Sequence, residues 1–374
     1  MSASGTSLEL PPPCGEVEIA REHREQFRVG GDLTRRAAFQ TFMATAAAGA
    51  VAAPLPAFAQ NQPAIATAAD YVRDPARWGT REVAALFPGF QHLDMKTKGA
   101  IIRVRHGGSG PPLLLIHGNP LSHVSWYILA PRLAQHYHVV LADLRGYGDS
   151  SLPDSGPNHI NYSFRAYAED MIEVMEQLGH QRFYVAGHDR GGRTTHRMCL
   201  DHPDRVIKAC IMDVLPNYHV WTNTSRGWAL ASWHWLFMAQ PEPFPERMME
   251  AVGAEYFLRN RMAIRGGTGT AFIRDVSFKE YVRVFTLKTM TGSCRDYRAT
   301  ATCDFEMDTA DKDRRIAMPT LILWGARGPE RSNEFIDVWR KYGTNVQGEG
   351  LPSGHYMPEE VPDQLYDRFT KFFT

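Results

Sequence analysis

The chain has 374 residues, 44% of them hydrophobic, with 41 basic and 41 acidic side chains and a formal net charge of zero. That is enough apolar material for one or two domains with a full core, and the balanced charge excludes a chain that holds nucleic acid through a global basic field.

The first residues read differently from the rest. Thr34-Arg35-Arg36-Ala37-Ala38-Phe39 precedes an alanine-rich apolar stretch from Phe42 to Ala53, and Pro54, Pro56 and the small-x-small end Ala57-Phe58-Ala59 follow. The pattern predicts residues 1–59 as a leader and twin-arginine export signal cut near Ala59-Gln60, which would place the mature protein in the periplasm or outside the cell. A basic leader or a membrane anchor is the alternative, but the stretch is too short to span a bilayer, so no stable membrane insertion is expected. Of five cysteines Cys14 lies in this segment; Cys199, Cys210, Cys294 and Cys303 form neither a CxxC pair nor a regular framework and are expected as free buried thiols.

From Gln60 to Phe87 the chain reads as a polar connector. Beyond it, predicted strands alternate with helices: strands at Ile101 to Arg105, Leu113 to Ile116, Val139 to Ala142, Phe183 to Ala186, Ala209 to Asp213, Thr320 to Trp324 and near Asn345 to Gln347. Helical spacing runs from Trp126 to His136, from Tyr167 to Leu178 with Glu169, Asp170, Glu173 and Glu176 outward, from Thr194 to Leu200, and from Pro362 to Phe373. Such alternation predicts an α/β fold with a mostly parallel sheet and right-handed crossovers. Between Pro216 and Asp304 the strand rhythm stops and the chain turns helical and aromatic. The expected organisation is a core from 88–215 and 305–374 with a helical cap, 216–304, inserted over it.

Gly187-His188-Asp189-Arg190-Gly191-Gly192 follows the apolar run Phe183-Tyr184-Val185-Ala186 and opens a helix. Strand, glycine turn and helix make a nucleophile elbow, with a carboxylate where a serine usually stands. A carboxylate held there can attack carbon and form an ester. His117-Gly118-Asn119-Pro120 follows the strand that ends at Ile116, so the backbone amides of Asn119 and Arg190 are the candidate oxyanion donors. His355, in Ser353-Gly354-His355-Tyr356-Met357-Pro358-Glu359-Glu360 after the last strand, is the candidate base. Its orienting acid is Asp213 at a strand end or Glu330 in the loop after Thr320 to Trp324. Arg190 and Arg193 share the first turn of the helix after the elbow, where a helix N-terminus and two guanidiniums make an anion site.

Gly187 to Arg193, Asp213-Val214-Leu215-Pro216, His234-Trp235, Asp296-Tyr297-Arg298 and Gly354-His355, in this order, resemble the fluoroacetate and haloacetate dehalogenases of the α/β-hydrolase superfamily from about Phe87 to the end. The resemblance implies an α/β-hydrolase fold with a cap and a reaction without cofactor or metal. Asp189 would be the nucleophile, His355 the base and Asp213 its partner. Arg190 and Arg193 would bind the substrate carboxylate, and His234, Trp235 and Tyr297 the departing halide. The partners would be a halogenated acid and water, and a homodimer is a family expectation. Two positions depart from the pattern. Asn119 stands where these enzymes more often carry an aromatic residue, and His-Gly-Asn-Pro is similar to haloalkane dehalogenases, in which that Asn helps bind halide. Around Arg261 to Gly267, Arg265 and two glycines stand where an aromatic is usual. An epoxide hydrolase or haloalkane dehalogenase with the same acid-histidine-acid set is the alternative enzyme, and a degenerate hydrolase that binds small acids the non-enzyme one.

Overall fold

The computed structural model describes residues 82–265, 271–327 and 334–374. The expected leader and export signal, most of the connector, and Glu330 lie outside the described residues.

Eight strands form one sheet: β1 (Gln91–Lys96), β2 (Ile101–Gly107), β3 (Pro112–Ile116), β4 (His138–Ala142), β5 (Phe183–His188), β6 (Val206–Met212), β7 (Thr320–Gly325) and β8 (Val346–Leu351), in the order β1-β2-β4-β3-β5-β6-β7-β8. The first two strands run antiparallel to their neighbours and β3 to β8 pair in parallel. This is the α/β-hydrolase fold expected above. The short apolar runs became strands because both of their faces are covered. Leu113, Leu115, Val139, Leu141, Ala186, Cys210 and Met212 enter one core, and Leu114, Ile116, Val140, Ala142, Val185 and Ile211 the other. Residues alternate sides along each strand, so a run without polar positions must be buried twice. Each fully buried leucine or isoleucine contributes about 1.5–3 kcal/mol.

Fifteen helices are described: α1 (Val83–Ala85), α2 (Ala130–Leu133), α3 (Phe164–Gln177), α4 (Arg190–Asp201), α5 (Asn217–Thr222), α6 (Arg226–Ala231), α7 (Trp233–Met238), α8 (Phe244–Val252), α9 (Ala254–Arg265), α10 (Asp275–Val284), α11 (Leu287–Ala301), α12 (Cys303–Ala310), α13 (Glu334–Tyr342), α14 (Met357–Glu360) and α15 (Pro362–Phe372). Between β6 and β7 the described chain is entirely helical and holds α5 to α12; α12 crosses the boundary expected at residues 304 and 305.

Four points of the sequence reading need correction. β1 escaped the sequence reading because only Met95 of its six residues is buried, which leaves no apolar alternation to read. The helix expected over Trp126 to His136 is a 3-10 turn at His123–Trp126 followed by the short α2, with Pro131 in the first turn of α2. Helix α3 starts one turn earlier than expected, where Ser163 accepts the Ala166 N–H. Its Asp170 does not point outward with Glu169 and Glu176. It is buried, and it accepts bonds from Arg145 Nε at 2.6 Å and Thr97 Oγ1 at 2.5 Å. An arginine far away in sequence had claimed it.

Cys199, Cys210, Cys294 and Cys303 are buried and free. Among the described residues no helix is long and apolar enough to cross a membrane.

Candidate active site

The carboxyl ends of β3, β5, β6 and β7 open on one rim, and the candidate residues gather there. Strand β5 stops at His188 and α4 starts at Arg190, which leaves Asp189 at φ 51° and ψ −114°. A residue with a Cβ is strained at such a φ, and its surroundings must hold it there. Here glycines do so by letting backbones touch. A Cβ on Gly187 would lie 2.1 Å from the Gly191 carbonyl oxygen, and one on Gly191 would lie 2.3 Å from that of Ile116.

Asp189, His355 and Asp213 come together. His355 Nε2 is 3.4 Å from Asp189 Oδ2, and His355 Nδ1 is 2.5 Å from Asp213 Oδ2. The other Asp213 oxygen accepts the Gly325 N–H at 2.9 Å, so β7 fixes that carboxylate. The loop of His355 is held by Glu360, whose two oxygens accept the N–H groups of Gly354 at 2.8 Å and Tyr356 at 2.9 Å. Beneath it the His188 ring lies 4.8 Å from the His355 ring and its Nε2 bonds the His355 carbonyl at 2.7 Å. Burial and then the His355 charge push His188 down to about 4, so it stays neutral.

Asp189 Oδ1 accepts the Asn119 N–H at 2.9 Å, which places one proposed oxyanion donor against the carboxylate. The Arg190 amide belongs to the first turn of α4, where backbone N–H groups have no acceptor within the helix. Burial alone would raise the Asp189 carboxyl, but the His355 hydrogen bond and the charges of His355 and Arg190 hold it well below the usual carboxylate range. It is an anion at neutral pH. The Asn119 carboxamide turns away, with Nδ2 donating to Ser293 Oγ at 2.9 Å and to Tyr147 Oη at 3.3 Å. Both of its N–H bonds are thereby used within the protein.

The two arginines differ in a way their sequence did not signal. Arg190 is fully buried and paired with Asp296, Nη2 to Oδ1 at 2.9 Å and Nε to Oδ2 at 3.0 Å, and Nη2 also donates to Thr300 Oγ1 at 3.0 Å. Only its Nη1 has no hydrogen-bond partner. Burial opposes its charge, but Asp296 outweighs that and keeps it a cation. Arg193 has no partner for Nε or Nη1, and its guanidinium lies 4.6 Å from the Trp235 ring. Burial, then the Arg190 charge, push it down to about 10, which leaves it charged at neutral pH.

The cap supplies the rest. His234 and Trp235 stand edge-on to Tyr297 at 5.7 and 5.6 Å, and the Arg190 guanidinium covers the Tyr297 face at 3.7 Å. Burial and the charges of Arg261 and Arg265 drive His234 well below its ordinary value, so it too is neutral. A cavity of about 120 Å³ is bounded by Asp189, Arg193, Asp213, Ser232, Trp235 and Arg265 among others. Pockets for drug-sized ligands measure roughly 300–1,000 Å³, so this one admits only a small molecule. Sequence reasoning named neither Arg261 nor Ser232 as site residues and gave Asp296 and Glu360 no role. The last two stand inside motifs already singled out, and Arg261 opens the cap stretch noted for its missing aromatic; nothing local marks Ser232.

Residues 111–260 match the model of the alpha/beta hydrolase fold family. A fluoroacetate dehalogenase from Burkholderia sp is 42% identical over 280 residues, 74% of this chain and 92% of that protein. A soluble epoxide hydrolase from Corynebacterium sp. (strain C12) is 29% identical over 71% of this chain and 91% of its own length. Among solved structures, an α/β hydrolase from Nostoc sp PCC 7120 superposes with a TM-score of 0.74 at 42% identity, covering 76% of this chain and 98% of that one. With this fold, this rim of residues and these relatives, the chain belongs to the haloacetate dehalogenase family of the α/β-hydrolase superfamily.

Proposed function

We propose that the protein hydrolyses the carbon–halogen bond of small 2-haloacids such as fluoroacetate or chloroacetate, through an ester on Asp189. One observation carries this reading beyond a generic hydrolase: beside an ionised carboxylate, Arg190 Nη1 and Arg193 Nε and Nη1 are buried donors without partners. A buried cation with unused donors is unfavourable unless an anion completes it. The substrate carboxylate is that anion.

In the first step an Asp189 oxygen forms a bond to the carbon bearing halogen as the halide leaves with the bonding electrons. Arg190 and Arg193 fix the carboxylate so that attack comes from the side opposite the halogen. His234, Trp235 and Tyr297 face the leaving atom with an imidazole, an indole and a phenol, each able to donate. In the second step His355, oriented by Asp213, takes a proton from water. That water attacks the ester carbonyl while the amides of Asn119 and Arg190 meet the oxyanion. The tetrahedral intermediate then collapses: its bond to the alkoxide oxygen breaks, and that oxygen takes the proton of the newly added hydroxyl. The 2-hydroxy acid leaves, Asp189 is restored as a carboxylate, and His355 gives its proton to solvent.

Epoxide hydrolysis is the second reading, favoured by the 29% identical relative and by a buried tyrosine, Tyr297, on cap helix α11, close enough to Asp189 to feel its charge. A neutral epoxide would leave the arginine donors unused. Arg193→Leu separates the two readings. It should lower kcat/KM for chloroacetate by about 10- to 100-fold, the loss of hydrogen bonds to a charged group, and leave a neutral substrate such as chloroacetamide or a small epoxide almost untouched. Equal losses on acid and neutral substrates would contradict a carboxylate clamp.

A further inference from the structure

Arg261 is a third buried arginine at this site. It lies on α9, only 3% exposed, with no ion-pair partner among the described residues. Its Nη2 donates to the Tyr297 Oη at 3.3 Å, and its Nε is buried without a hydrogen-bond partner. Nothing in the clamp or the acid-histidine-acid set uses it. A cation enclosed in the cap with one neutral partner and an idle donor is unfavourable on its own. Such a group is retained where an anion arrives beside it.

Tyr297 tells which anion. Its ring face is covered by the Arg190 guanidinium at 3.7 Å, and its oxygen accepts from Arg261. A phenol has one proton, and with its oxygen turned to Arg261 as acceptor that proton is the remaining bond it can offer. Burial raises the Tyr297 phenol, and Arg190 and Arg261 oppose that rise, so it stays protonated and polarised by two cations. Edge-on to it stand His234 and Trp235.

Building on the haloacid reading, we propose that Arg261 is a positioning residue of the leaving-group pocket: it holds the Tyr297 hydroxyl as a donor toward the departing halide and biases the enzyme toward carbon–fluorine bonds. In the step concerned the carbon–halogen bond breaks, the halide keeps the electron pair, and no proton moves. Fluoride is the smallest and most charge-dense halide. It depends most on aimed donors and a nearby positive charge, whereas bromide departs well without them.

The experiment compares Arg261→Met and Arg261→Lys with the unaltered enzyme on fluoroacetate and bromoacetate, with halide release as readout. Arg261→Met should lower kcat on fluoroacetate by about 10- to 100-fold and on bromoacetate several times less, with KM for both little changed, since the clamp lies elsewhere. Arg261→Lys should recover part of the fluoroacetate rate. Should Arg261→Met fold poorly, Tyr297→Phe carries the same comparison, and adding Arg261→Lys to it should cause little further loss on fluoroacetate. Equal losses on both halogens, or a change confined to KM, would overturn the assignment while leaving the haloacid reading intact. An unaltered enzyme inert on both acids would overturn both.

Discussion

The two sides of the site are built on opposite principles. On the Asp189, His355 and Asp213 side the protein partners its own reacting groups: Asp213 is held by His355 and Gly325, Asp189 by Asn119 and His355, and the histidine loop by Glu360. On the arginine side it does not, and Arg190, Arg193 and Arg261 each keep a buried donor without a partner. Paired carboxylates position the reacting groups; buried cations with idle donors wait for a ligand. The difference assigns chemistry to one half and recognition to the other.

Mutation can break that comparison. Arg190 stands on the border, since Asp296 satisfies most of it. Arg190→Leu strands a buried carboxylate and should lower unfolding free energy by about 3–5 kcal/mol, measured by urea titration. Arg193 forms no ion pair among the described residues, so Arg193→Leu strands no bonded carboxylate and should be close to neutral or stabilising. Similar losses from both would mean that Arg193 is structural, and the division into two halves would fail.

A smaller effect probes the acid-histidine-acid half. His188 is buried and pushed down to about 4 from 6.5. Between these values the unfolded chain binds a proton that the folded chain refuses. The stability this neutral ring permits is fully present above pH 6.5 and is lost as pH falls toward 4, at about 1.4 kcal/mol per pH unit for this group. His188→Gln should therefore shrink the stability difference between pH 7 and pH 5 by about 2 kcal/mol. An unchanged difference would show that the proton is bound elsewhere.

Much of this was legible in the chain because the elbow is a local object. Strand, glycines, Asp189 and helix are consecutive, and the β5 run is apolar because both of its faces are buried. His355 and Asp213 could be read from their places after β8 and β6. Other features are decided by tertiary neighbours and leave no local mark. Asp170 looked like a solvated acid until Arg145 reached it. Arg190 and Arg193, three residues apart, looked equivalent until Asp296 took one of them. Arg261 was one basic residue on a cap helix, and only the fold puts its guanidinium against Tyr297. Asn119, open between a halide ligand and an oxyanion donor, has its carboxamide directed at Ser293 and Tyr147 and its backbone N–H at Asp189.

The central claim is that Asp189 carries the substrate as an ester which His355 then releases. The most direct measurement is the mass of the Asp189 peptide after His355→Asn has been incubated with chloroacetate. The peptide should gain the mass of the esterified acid fragment, with halide released in about one equivalent. Halide released in repeated turnovers while the Asp189 peptide stays unmodified would contradict the claim.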